Sequence, residues 1–237
     1  MVASDVYRRY RAAESLLVVQ TTYAAHGGNV ALAALAGSST FVEWNHYPAA
    51  DIRDKETGSV AYYHAHSAVE RLEDEHGHFH IFVSSGDKER RGIGTGYSHL
   101  IGISVTARGE ALRLFTTNRW VTGEDWIPAS RLAELSEDFG LVTTGRLAPV
   151  ARWLTAMTCI YSADIGALLE DRDAIMAAHA RRNGTEAALQ DRSIHIITEK
   201  PVNVPERLLQ INADFSGRGA EGATQEGDSP CEDLACS

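Results

Sequence analysis

"SVAYYHAHSAVERLEDEHGHFHIFVSS", residues 59–85, decides the fold and raises the functional question. Two runs rich in aromatic and β-branched residues flank a charged loop, the composition of two strands joined by a turn. Five of the chain's ten histidines fall here, at His64, His66, His76, His78 and His80, and four of them form two His-x-His pairs. Side chains alternate faces along a strand, so the members of each pair share a face. A hairpin folded about residue 72 sets His64 opposite His80 and His66 opposite His78, and opposed residues also share a face. Cross-strand Cβ separations of about 4.5–5.5 Å then let two to four imidazoles converge on one or two metal ions. Four protonated rings so placed would repel, so a metal, a carboxylate or neutral rings must relieve the charge. The plain alternative is a hydrogen-bonded polar sheet face, and a one-residue slip in register would put the second pair on the other face.

The same strand composition recurs outward from this hairpin. Segments 41–48, 59–69, 78–85, 98–107 and 111–121 read as strands separated by Gly, Pro, Asp and Lys clusters. Five consecutive strands with short connections predict an antiparallel meander. Helical periodicity precedes it, over 4–36 with a break at "HGGN", and returns after Pro128, in "PASRLAELSEDF" and from about Pro149 to Ala180. A last strand at "SIHIIT" (193–198) and a short helix near Pro205 follow. The expectation is one α+β domain over 1–214, a five-stranded antiparallel sheet covered by N- and C-terminal helices. Residues 215–237, Gly-rich and acidic, read as a mobile tail.

At 237 residues and 44% hydrophobic composition the chain can bury a substantial core. Its 22 Lys and Arg stand against 32 Asp and Glu, a formal charge of −10 without a basic run, which excludes the usual nucleic-acid footprint. No signal peptide is legible at the amino terminus, and Gln20, His26 and Asn29 interrupt the uncharged stretch 15–42, so neither export nor a membrane span is expected. A cytoplasmic location is the expectation. Cys159, Cys231 and Cys236 do not make a disulfide framework.

The candidate ligands are His64, His66, His78 and His80, with His99 of the fourth strand or Glu70 of the hairpin loop completing the set. His46 and His195 are weaker candidates. Glu70 and Glu75 are candidate catalytic bases. Arg119, in "FTTNRWVTGEDW", is a candidate clamp for a substrate carboxylate, or else an internal ion-pair partner of Glu124 or Asp125. The loop "GDKERRGIGTG" (86–96) lacks a phosphate-loop pattern but suits a lid. No serine or cysteine nucleophile elbow is present. All-nitrogen ligation suits a transition metal, Fe or Cu ahead of Zn, rather than Ca or Mg. The leading expectation is a metal-dependent oxidoreductase acting on a small organic molecule. Metal-assisted hydrolysis with Glu70 or Glu75 as base is a second, and a non-catalytic haem or copper carrier or sensor a third.

Gly58, His64, His66, Glu70 and Gly77 are spaced as in the first cupin motif, with Gly96 and His99 resembling part of the second. That resemblance implies a partly closed barrel and one metal held by His64, His66, Glu70 and His99. Gly94 and Ile103 stand where the second motif has proline and asparagine. The run of "WNHYP", "YYHAH", "EHGHFH" and "TTNRWVTGE" across about 40–180 also resembles an uncharacterised family of bacterial proteins, which implies a bacterial cytoplasmic origin and no particular activity.

Overall fold

A computed structural model describes residues 2–35, 38, 40–67, 71–85, 96–137 and 139–225. The amino-terminal pattern forms α1 (Val2–Ala25) and α2 (Val30–Leu35). The break falls where expected. Gly27 takes φ +67°, the left-handed region that glycine enters without penalty, and Gly28 N–H closes the turn on Tyr23 O at 2.9 Å. Asn29 then opens α2, its Oδ1 accepting from Leu32 N–H at 3.0 Å.

The sheet has six strands in sequential antiparallel order: β1 (Tyr47–Arg53), β2 (Val60–His64), β3 (Gly77–Ser84), β4 (Tyr97–Val105), β5 (Ala111–Thr117) and β6 (Ile196–Pro201). The last expected strand therefore joins the main sheet beside β5, making six rather than five. Arg113 pairs with Pro201 and Phe115 with Glu199. The sheet is open, with β1 and β6 as its edges, so the barrel implied by the cupin resemblance is not formed. The first expected strand, 41–48, is displaced: β1 begins at Tyr47, because Trp44 takes φ +70° and interrupts any extended run before it.

Short α3 (Arg119–Thr122) follows β5, then α4 (Ala129–Glu137), and a 3-10 turn at Gly145–Leu147 leads into α5 (Ala148–Ile160). The stretch expected as one long helix is two, since Tyr161 breaks it before α6 (Ser162–Asn183). Short α7 (Thr185–Leu189) precedes β6, and α8 (Val204–Gln225) is much longer than the short helix expected. Its helix runs past the expected tail boundary at 215, and Phe215 stacks on Tyr10 of α1 with ring centroids 4.0 Å apart. The rest of the tail, with Cys231 and Cys236, lies outside the described residues.

Strand alternation explains how the layers pack. Tyr63, Phe79, Ile81, Ile103 and Leu114 share one face and pack in a single core with Leu16 and Val19 of α1, Trp153 and Met157 of α5, and Ile211 of α8. Each such fully buried side chain contributes about 1.5–3 kcal/mol. The opposite face presents Tyr62, His64, His78, His80 and Phe115, and these are buried too. No helix among the described residues is long and apolar enough to cross a membrane.

Candidate metal centre

The hairpin register differs by two residues from the symmetric fold of the sequence. His64 pairs with His78, and Tyr62 with His80. A shift of two keeps every side chain on its face, so the histidines still converge. What changes is His66. β2 ends at His64, and residues 65–67 leave the ladder.

His64, His78 and His80 each offer a ring nitrogen, and these atoms lie within 4.8 Å of one another, all three rings being buried. The ring partners assign the nitrogens. Nδ1 of His78 lies 2.7 Å from Glu75 Oε1, and Nδ1 of His80 lies 2.9 Å from Nε2 of His99. The Glu75 carboxylate accepts from Nδ1–H of His78, which leaves Nε2 of His78 for an ion, the orientation in which a second residue raises a ligand's basicity. In the tautomer with the proton on Nδ1 of His80, donated to His99, Nε2 of His80 is left in the same way. Nε2 of His64 is buried with no hydrogen-bond partner, an arrangement that needs an explanation in a native core. A metal ion bound by the three imidazoles would supply one.

Burial pushes the His64 imidazole down to about 2, helped by the neighbouring rings of His78, His66 and His46. Burial likewise takes His99 to about 3, with Arg172 and His78 adding to it, and holds His80 well below the ordinary range. The neutral form is the one that binds metal. Burial alone would raise the Glu75 carboxyl, but the hydrogen bond from His78, with Ser104 and Arg113, overcomes it and holds it below its usual value.

The supporting groups come from several strands. Arg113 Nη2 donates to Glu75 Oε2 at 3.2 Å and its Nε to Ser104 Oγ at 3.3 Å, while Nη1 bonds Glu199 of β6. A chain of charge thus runs from Glu199 through Arg113 and Glu75 to His78. His99 reaches this face through a bulge between Ile81 and Phe82, which makes His99 the partner of Phe82. Regular alternation from Gly102, the partner of His80, would have put Leu100 there instead. The His99 amide donates to Glu124 Oε2, and burial pushes that carboxyl up to about 8 against the opposing pull of the amide and of Arg172. Gly102 supplies room: a Cβ there would lie 2.3 Å from the Phe115 ring. The ring therefore lies over β4 and meets His78 edge to face at 5.2 Å and His80 at 5.8 Å.

Outside the triad, a cavity of about 310 Å³ is lined by His66, His78 and His80, by Arg113 and Glu75, and by Phe115, Thr117, Val121, His195 and Ile196. His66 stands with its ring 5.0 Å from His64 and 5.1 Å from His78, beside the triad rather than in it. At the rim, Trp44 packs on His66 at 4.1 Å, and His46 stacks on Tyr62 at 3.6 Å with Nδ1 3.2 Å from Asp51 Oδ1. Trp44 and Asp51 are the non-glycine residues with positive φ among the described residues, at +70° and +54°. Such conformations cost on the order of 1–3 kcal/mol each and gather at functional sites.

The sequence candidates thus divide. His64, His78 and His80 come together, with His66 alongside, His99 behind His80 and Glu75 behind His78. Glu70 and the loop 86–95 lie outside the described residues. The cupin pattern assigns His99 to the metal and omits His78 and His80, whereas here His99 bonds a ligand and the β3 pair supplies two of three nitrogens. Arg119 does not line the cavity. It opens α3 and pairs with Glu186 of α7, not with Glu124 or Asp125, which are taken by His99 and by Ser85 and Gly96. The arginine of the site is Arg113, which the sequence reading missed, although alternation in "ALRLFTT" sets it on the face of Phe115.

No curated protein and no solved structure gives a significant match to this chain. Residues 10–202 match the family described as "Domain of unknown function (DUF6969)", a span that holds all six strands and the whole histidine centre, and the chain belongs to that family.

Proposed function

We propose that the protein is a metal-dependent enzyme, an oxidoreductase acting on a small organic molecule at an iron or copper ion held by His64, His78 and His80. One observation carries this reading: three buried imidazoles offer nitrogens within 4.8 Å of one another, and two of them, His78 and His80, also line a cavity of about 310 Å³. Three protein ligands with an open side favour catalysis, whereas structural sites are closed. All-imidazole ligation suits Fe, Cu and Zn. The choice among them rests on the acid that lines the cavity among the described residues. Hydrolysis at zinc calls for a base beside the bound water, and Glu75 is held on one side by His78 and on the other by Arg113. Convergence of three nitrogens on one point also speaks against haem, whose axial imidazoles approach from opposite sides of a plane. Bound metal would supply Lewis acidity and electron transfer. The chain's own part is to hold three neutral rings, fix His78 through Glu75, and give the cavity an apolar wall with Phe115, Val121 and Ile196.

Metal analysis of untagged protein, joined to nitric oxide titration of the Fe(II)-loaded form, tests this reading. The expected result is copurifying iron or copper and a high-spin iron–nitrosyl signal by electron paramagnetic resonance, reporting an open position. Stoichiometric zinc would favour the hydrolytic reading. A Soret band, or an iron centre closed to nitric oxide, would point to a carrier.

A further inference from the structure

We propose that Trp44 forms a stacking subsite at the rim of the metal centre. It selects planar aromatic or heteroaromatic molecules with an anionic oxygen donor, and so sets the substrate class of the enzyme proposed above, on which reading the inference rests. The rim carries the observation. Trp44 leaves 53% of its surface exposed, although a large apolar ring is normally driven inward, and its backbone is held at φ +70° by its N–H bond to Ala65 O at 3.0 Å. A bulky residue enters that region rarely. The fold therefore holds an indole in a strained conformation that leaves it facing solvent.

Its neighbours give the exposed ring a use. One side of Trp44 meets His66 at 4.1 Å, and His64 lies edge-on at 6.5 Å. His66 also lines the cavity, so the rim and the cavity share a wall. The second strained residue, Asp51, fixes His46 from the same rim, with His46 stacked on Tyr62. A flat ring laid on Trp44 would bury aromatic surface on both partners and gain offset stacking, which a saturated ring of equal size does not. The donor group follows from charge. Three neutral imidazoles leave a bound divalent cation its full charge, and in a buried setting an anionic oxygen is the complementary ligand.

Isothermal titration of the Co(II)-loaded full chain with benzoate and with cyclohexanecarboxylate tests the subsite, because the two anions share charge and carbon count and differ in planarity. Wild type is expected to bind benzoate about tenfold more tightly than the saturated acid. Trp44→Phe should keep most of that preference. Trp44→Ala should abolish it with Co(II) content unchanged. Equal binding of the two acids by wild type, no benzoate binding at millimolar concentration, or a preference that survives Trp44→Ala would overturn the proposal. Failure of wild type to take up Co(II) would instead sink the metal reading. The same isothermal titrations on the metal-free chain then decide the subsite: a benzoate preference lost in Trp44→Ala upholds it, and no preference overturns it.

Discussion

β3 carries two kinds of chemistry on its two faces. Phe79, Ile81 and Val83 point into the helices, and His78, His80 and Phe82 point the other way, yet all six are buried. On the helical face burial itself stabilises, and any well-shaped apolar set would serve. On the histidine face burial costs energy unless each polar atom finds a partner. Glu75 and His99 meet that need for His78 and His80, and Nε2 of His64 is left over. One face thus accounts for the fold, while the other bears a cost that a bound metal would relieve.

The largest effect should come from breaking the apolar face. Phe79→Ala removes a fully buried ring that meets Trp153 at 5.7 Å and Tyr63 at 5.0 Å, and chemical denaturation should show a loss of about 3–5 kcal/mol. Its metal affinity, measured under conditions where it stays folded, should be close to wild type. Next come the groups behind the ligands. Glu75→Gln and Arg113→Met leave the three rings in place but remove the charge that orients His78, so metal affinity should fall by about 10–100-fold with the circular dichroism spectrum retained. Unchanged affinity in both would show that the Glu199–Arg113–Glu75 chain only joins strands.

A smaller effect separates the faces by pH. His64, His80 and His99 all have imidazoles depressed by burial in the folded chain. The unfolded chain therefore binds more protons below about pH 6.5, and stability must fall as pH falls through that value. From pH 7 to 5.5 each of the three should cost the metal-free protein ~1 kcal/mol, lost by favouring the unfolded state. A melting temperature of the metal-free protein that stays flat across this window would mean that the rings are not buried neutral.

Much of this division was legible in the sequence. Period-two runs from 59 to 121 announce the meander, and i, i+2 spacing puts His64 with His66 and His78 with His80 on common faces. The register was not legible, because the long loop 65–76 leaves the hairpin's centre undetermined, and a shift of two residues moved His66 out of the ladder. Nor was the place of His99, which depends on a bulge that no local residue preference announces. The role of Arg113 was hidden because its partners Glu75 and Glu199 lie 38 and 86 residues away. The cupin-like spacing shows the opposite hazard: a motif can match by position while two of the three converging nitrogens, those of His78 and His80, lie outside it.

The central claim is that His64, His78 and His80 hold one metal ion. Elemental analysis of untagged wild type and of the three single alanine variants, each checked for folding by circular dichroism, tests it most directly. The account predicts about one transition-metal ion per chain in wild type and in the controls His26→Ala and His179→Ala, and near-complete loss in each triad variant. Full occupancy retained by all three triad variants would contradict it and leave the histidines as a polar sheet face.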